Sequence, residues 1–260
     1  MVLRTRNLTK RFGGLVAVDG VDFDLGEECC SLIGPNGAGK TTFFNLLTGV
    51  LEPTEGTVEY HDGDDWTDIT DHAPYETALS GIHRSYQITN VFETSTVLEN
   101  VRIAAQAAGG ADSWRAWRNV EAFPEYEREA RDILDRVDLG EKADRPAEAL
   151  SHGEKRNLEV GIALAGDPDV ILLDEPTAGV SSDGIDDLTD LVDDIAADHA
   201  VLLVEHNMDV VMEVSDRIAV LHQGSLIADD DPMAIRNSDR VQEAYLGGYE
   251  AGRPTGGEHA

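Results

Sequence analysis

Lysine is almost missing from this chain: Lys10, Lys40, Lys142 and Lys155 are the only ones in 260 residues. With arginine they make 20 cations against 51 Asp and Glu, a net charge of -31. No block of Lys and Arg gathers these cations on one face, so the surface repels a phosphate backbone and nucleic acid is excluded as a main partner. The carboxylates run along the whole chain instead of filling a tail. That spread fits an intracellular protein in a very salty cytoplasm, where screening offsets the repulsion that opposes compaction. Cysteine is scarce too, with Cys29 and Cys30 adjacent inside an apolar run, which excludes a disulfide framework and a cysteine metal site. Long apolar runs are missing: nothing approaches the roughly 18 residues of a spanning helix, and MVLRTRNLTKRF lacks the apolar core of a signal peptide. The chain is therefore expected in the cytoplasm.

What is present is enough for a core, since 41% of the residues are hydrophobic and the length suits one compact unit with a subdomain. Leu3 to Leu8, Val21 to Leu25 and Cys29 to Ile33 read as strands, followed by a helix from Gly39 to Leu47 that ends at Gly49. Thr57 to Tyr60 is another strand. The stretch HDGDDWTDIT reads as a turn-rich surface loop, with a helix beginning near Pro74 and a strand from Ile82 to Tyr86. From about residue 88 to 167 the β-branched runs thin out and helical spacing takes over, which predicts a helical subdomain inserted into a sheet domain. Alternation of strand and helix resumes with VILLDEP, a helix from about Gly184 to Ala197, VLLVEH, and a short helix after Asn207. Arg217 to Leu221 and Ser225 to Ala228 form a hairpin around Gly224, two short helices follow near Pro232 and Ser238, and 249–260 read as a disordered tail.

The strongest local signal is GPNGAGKTT, Gly34 to Thr42, between an apolar strand and a helix, the required context of a phosphate loop. Gly34, Gly37 and Gly39 let backbone N–H groups converge on phosphate oxygens, Lys40 adds a point charge, and Thr41 offers a hydroxyl to Mg²⁺. The second signal is VILLDEP, a buried strand that delivers Asp174 and Glu175 at its end. The first carboxylate is suited to hold Mg²⁺ and the second to act as general base toward water. His206, just past another apolar strand, can bond a terminal phosphate or orient the water. LSHGEKR, Leu150 to Arg156, opens a helix whose free N–H groups favour an anion; Ser151 and Glu154 also read as a capping box.

Taken together, the ordered set resembles the ATP-binding subunit of ABC transporters over residues 2 to about 248: the phosphate loop, Gln87 in RSYQITN at the Q-loop position, LSHGEKR as the signature, VILLDEP, AGVSSDG at the D-loop position and His206 as the switch residue. TKRFGGLVAVDGV, TVLENVRIA, EHNMDVVMEVSDRIAVLHQG and VQEAYLGG are similar to the LivG type of branched-chain amino acid importers; subunits for urea, other amino acids or lipid export share several of these phrases. The resemblance implies an α/β phosphate-loop NTPase fold with a mixed sheet core, an antiparallel β subdomain and the inserted helical subdomain, in one domain over 1–248.

It also implies roles. Phe12 would stack on adenine with Val18 beside the ring, and Asn36, Gly37, Ala38, Gly39, Lys40, Thr41 and Thr42 would serve the phosphates of ATP. Mg²⁺ would be held by Thr41, Gln87 and Asp174, while Glu175, His206, Gln87 and Lys40 would carry the hydrolysis. Ser151, Gly153 and Glu154 would reach the γ-phosphate bound by a second ATP-binding subunit, the same chain or a sister. Further partners implied are two multispan membrane permease subunits and, in the full complex, an extracellular solute-binding protein, with the chain peripheral on the cytoplasmic face of the membrane.

The sequence departs from the family pattern at His152, Glu154 and Ser181. Glu154 is expected to point away from nucleotide or toward Lys155 or Arg156. In ADSWRAWRN, Trp114 and Trp117 share a helical face and read as closing the small helical core, with contact to a membrane subunit as the alternative. An exposed Phe92 would be explicable as an interface residue. A nucleic-acid ATPase is disfavoured by the charge and by the ordinary insertion, and a small-molecule kinase by the LSHGEKR helix.

Overall fold

The computed structural model describes residues 1–85, 91–109, 124–180 and 182–250, without the side chains of 182–183 and 246–250. Gln87, Trp114, Trp117, Ser181 and the tail after 250 lie outside the described residues.

Two sheets form the frame. The first, in order β2-β1-β4-β5, is antiparallel and consists of β1 (Leu3–Phe12), β2 (Leu15–Leu25), β4 (Glu55–His61) and β5 (Trp66–Asp68). The second, in order β10-β9-β3-β8-β7-β6, is parallel from β9 through β6. Its strands are β3 (Cys29–Ile33), β6 (Ile82–Ser85), β7 (Val170–Asp174), β8 (Ala200–Val204) and β9 (Arg217–His222), with β10 (Ser225–Asp230) antiparallel at the edge. β3, β7 and β8 are buried at every position, as their unbroken apolar runs require in a sheet covered on both faces.

Alternation along those strands divides the core. Ile171, Leu173, Val201 and Leu203 face a cluster with α3 (Val97–Ala108), α4 (Pro124–Arg136), α5 (His152–Leu164) and α6 (Ser182–Ala196). Val170, Leu172, Leu202 and Val204 face α1 (Lys40–Leu47) and the antiparallel sheet. Cys29 belongs to the first cluster and Cys30 to the second, so successive side chains on one strand point to opposite faces and the two thiols cannot pair. Both are buried free thiols, and burial pushes Cys30 up to about 12, far from reactive.

The antiparallel sheet is larger than the sequence predicts. β1 and β2 extend to a tight Gly13-Gly14 connection, and the stretch read as a surface loop contains a short strand, β5. Its turn is built by Asp62, whose Oδ1 accepts from the amides of Asp64 and Asp65. Trp66 is then fixed by the Arg4 guanidinium 3.9 Å from its ring and by the edge of His61. These tertiary contacts outweigh the turn-rich local composition. Between β6 and β7 the described elements are helical: α3, α4, α5 and two single 3₁₀ turns. α2 (Pro74–Leu79) precedes β6, while α7 (Met208–Val214), α8 (Pro232–Arg236) and α9 (Asp239–Glu250) close the chain. Gln223 and Gly224 both take positive φ in the β9–β10 turn, the geometry of a primed hairpin turn.

Candidate functional site

The sheet order brings the motifs together. β3, β8 and β7 are neighbours and parallel, so the phosphate loop, His206 and the Asp174–Glu175 pair emerge side by side from their carboxyl ends, where open α/β sheets bind ligands.

The loop after β3 is shaped by glycine. Gly34 and Gly39 take φ of +153° and +107°, and a Cβ there would lie 2.1 Å from Leu221 O and 2.3 Å from Ala17 O. Only glycine lets the chain pass so close to β9 and β2. Asn36 and Gly37 are exposed, Ala38 is buried, and Ala38 O accepts from the Gly224 amide. Lys40 is buried with its ammonium 2.7 Å from Gly34 O and 3.4 Å from Pro35 O. Burial lowers its pKa, while Glu175 and Asp174 oppose that shift. Helix α1 starts without a side-chain cap or an acidic residue in its first turn. By contrast, α3, α5, α7 and α8 are capped by Thr96, Ser151, Asn207 and Asp231. The uncapped N–H groups of α1, with exposed Thr41 and half-buried Thr42 beside them, form an anion-binding end.

Asp174 is buried at the end of β7, and its Oδ2 accepts from Arg84 Nη2 at 2.6 Å. The other arm of Arg84 reaches Asn45 Oδ1 at 2.6 Å, and its guanidinium lies 5.5 Å from the Phe44 ring. One guanidinium thus joins β6, β7 and α1. Glu175 follows with a left-handed φ of +48°, uncommon for a residue other than glycine; its amide donates to Val204 O at 2.7 Å. Its Oε1 lies 2.8 Å from His206 Nε2, a contact between the ends of β7 and β8 that sets a carboxylate beside an imidazole, two groups able to take or give a proton.

Two residues in this arrangement are not singled out by motif: Arg84 and Glu205. Glu205 is buried and accepts from Thr177 N and Oγ1 at 2.7 Å each, His206 N at 2.9 Å and Asn207 N at 3.3 Å. It ties the loop after Glu175 to the loop carrying His206. The available signal was a carboxylate ending an otherwise apolar strand.

The signature segment begins α5. Ser151 Oγ accepts from the Glu154 amide and Glu154 Oε2 from the Ser151 amide at 2.7 Å, a complete capping box. Glu154 pairs with Lys142 at 2.5 Å, not with Lys155 or Arg156 as expected. Lys155 lies 3.6 Å from Glu93, and Arg156 turns inward to Glu159. The Lys142 bond and the Ser151 amide hold the Glu154 carboxyl down to about 2. Its charge therefore supports the fold above the ordinary carboxylate range near 4.5 and loses that effect as pH falls through about 2. Gly153 faces open space.

Phe12 is 47% exposed at the end of β1, with Lys10 Nζ 5.4 Å from its ring. Val18 differs from expectation: it is 0% exposed within the core and offers no surface to a ring, because a register shift between the pairs Leu8–Val21 and Lys10–Val18 leaves both Val18 and Val21 facing inward on β2. Phe92 is exposed.

The family model described as ABC transporter matches residues 18–178. Over 253 residues, 95% of this chain and 98% of the other, the sequence is 39% identical to the high-affinity branched-chain amino acid transport ATP-binding protein BraF of Pseudomonas aeruginosa. The ADP conformation of an ATP-binding cassette of an ABC transporter superposes with a TM-score of 0.83 at 33% identity, covering 95% of this chain and 98% of that one. A dimeric post-hydrolysis cassette bound to ADP and Pi gives 0.73 at 25% identity, covering 88% and 98%. With phosphate loop, carboxylate pair and histidine on adjacent strand ends, the chain belongs to the ABC transporter family, as one of its ATP-binding and ATP-hydrolysing cassettes.

Proposed function

We propose that this cassette powers the uptake of branched-chain amino acids, working on the cytoplasmic face of the cell membrane. The observation that carries the solute is the 39% identity, sustained over 95% of the chain, to a branched-chain amino acid transport protein. ATP phosphates would rest on the uncapped N–H groups of α1 and on the backbone of Asn36, Gly37, Ala38 and Gly39, with Lys40 and Thr42 beside them and Phe12 under the adenine.

Thr41, Asp174 and Gln87 are hard oxygen donors that fit Mg²⁺. They are too few to retain an ion alone and suit one carried in with phosphate and water. Among the described residues no group of three or more His, Cys, Asp or Glu could hold a metal. Bound there, Mg²⁺ would neutralise charge on the phosphate oxygens. Glu175 accepts the proton of the attacking water, and His206, bonded to the same carboxylate, orients it.

Ser151 and Gly153 would reach the γ-phosphate held by a second cassette, a reading supported by the dimeric relative. Two multispan subunits would carry the solute path, fed by an extracellular solute-binding protein. A cleft of about 520 Å³ between α2, β6, α3 and α5, rimmed by exposed Tyr75 and Leu79, suits a docking helix of such a subunit.

The test uses tagged E175Q, which can keep the His206 bond but lacks the proton acceptor. It is purified from detergent-solubilised native membranes in molar salt with ATP, and co-purifying proteins are identified by mass spectrometry. We expect two multispan proteins together with a sister cassette and a binding protein that takes leucine, isoleucine or valine. Recovery of soluble proteins alone would overturn the transport assignment, and a binding protein that ignores these amino acids would overturn the solute.

A further inference from the structure

Arg156 sits in the second turn of α5, five residues after Ser151, with its guanidinium turned into the protein. Its side chain is 8% exposed and that of its partner Glu159 9%, with Arg156 Nη1 2.6 Å from Glu159 Oε2. Two further donors of the fork go to backbone: Nη2 donates to Asp174 O at 2.6 Å and Nε to Pro176 O at 3.2 Å. These carbonyls flank Glu175, a non-glycine residue held at φ +48°. Its own amide is bound to Val204 O, so the backbone at Glu175 is anchored to β8 on one side and to α5 through Arg156 on the other. A strained conformation persists only where its surroundings over-determine it, and a rigid fork with separated donors can bracket two carbonyls as an ammonium cannot.

We infer that Arg156 is a positioning residue for Glu175, fixing the backbone from which the base projects and making the base and the signature helix move as one body. This rests on the proposed role of Glu175 and on the proposed contact of Ser151 and Gly153 with nucleotide in a second cassette. A displacement of the start of α5 as two cassettes close is then passed through one side chain to the base of the chain's own site. The two ATP sites would communicate along this route.

The inference is tested on the full chain with R156M/E159M and with R156K. The first removes both members of the buried pair, which leaves no uncompensated charge and preserves folding; the second keeps a cation for Glu159 but loses the bracket. Both are compared with wild type for kcat, KM for ATP and Tm, and each is combined with E175Q to follow ATP-driven dimerisation. We expect Tm close to wild type, KM within about twofold and dimerisation intact, with kcat lower on the order of 100-fold in R156M/E159M, the scale of a displaced catalytic group. R156K should recover part of that loss through one carbonyl bond. Wild-type kcat in whichever of the two variants folds would overturn the inference. Failure of the base assignment is separable, because it would appear as normal turnover in E175Q with Arg156 untouched.

Discussion

At Glu205, four donors converge on one buried carboxylate, two from Thr177 and two from the amides of His206 and Asn207. A glutamine there could satisfy the Thr177 pair through its oxygen, yet its NH₂ would then face two further N–H groups. E205Q should therefore keep the fold at a cost of about 1–3 kcal/mol, the penalty of leaving buried donors unpaired, and lose the alignment of His206 with Glu175. The expected outcome is a kcat lower by about tenfold or more with KM for ATP little changed, since the phosphate loop is untouched, the magnitude being that of a disturbed proton-transfer pair. Steady-state ATPase kinetics decide it. Wild-type kcat would mean that the His206 main chain is held without this carboxylate.

Helix α5 illustrates how one element can serve two purposes. Its capping box satisfies the first N–H groups within the chain, whereas a phosphate from a second cassette would seek the same end of the helix. Glu154 adds a negative charge there, blunted by Lys142. E154Q keeps the capping box, because glutamine serves in that motif, and removes the repulsion. It should lower stability by about 1 kcal/mol, the value of a solvent-screened, half-exposed pair, and tighten the ATP-driven dimer several-fold in an E175Q background, measured by sedimentation. A weaker dimer would show that the carboxylate helps to bind nucleotide. The capping box was legible from Ser151 and Glu154 because its partners lie three residues apart. Lys142 was not, because it approaches from a separate 3₁₀ turn twelve residues earlier. The same distinction runs through the fold: β3, the phosphate loop and β7 are written in contiguous apolar runs with glycine at the turns. β5 depends on Arg4 reaching Trp66 from another strand, and Val18 looked available only until β2 was seen to turn it into the core. Arg84 and Glu205 were hidden for a related reason, since a charged residue at the end of a short strand carries no local sign that its partners lie on other strands.

At the scale of the molecule, 51 carboxylates face 20 cations, and much of the cationic charge is already committed. Arg136 contacts Asp194 and Asp198, Arg217 bridges Glu28 and Asp229, and Arg84 is buried against Asp174. Repulsion among the remaining acids is visible at Asp193, whose pKa is raised by burial first and then by Asp190 and Asp216. Removing protons from that carboxyl costs folding free energy, so its unfavourable effect is absent below the ordinary Asp range and develops as pH rises through its raised value. Salt acts on the same repulsion. The screening length contracts from about 10 Å at 0.1 M to about 3 Å at 1 M, which leaves buried pairs such as Arg84–Asp174 in place but weakens the long-range field of unpaired acids. Raising KCl from 0.1 to 2 M should therefore stabilise the chain, and a gain of about 3 kcal/mol would move Tm by roughly 6–12 °C for a chain of this size. ATP feels the same field: a polyanion approaching a protein of charge -31 is repelled at low salt, so its association rate should rise with KCl, opposite in sign to the steering of an anion by a basic surface. Thermal unfolding and stopped-flow binding of a fluorescent ATP analogue across the same salt series test both effects. A Tm that rises while the association rate falls would place the repulsion away from the nucleotide site and leave Lys40, the α1 terminus and the amide groups of the phosphate loop as the local field that ATP meets.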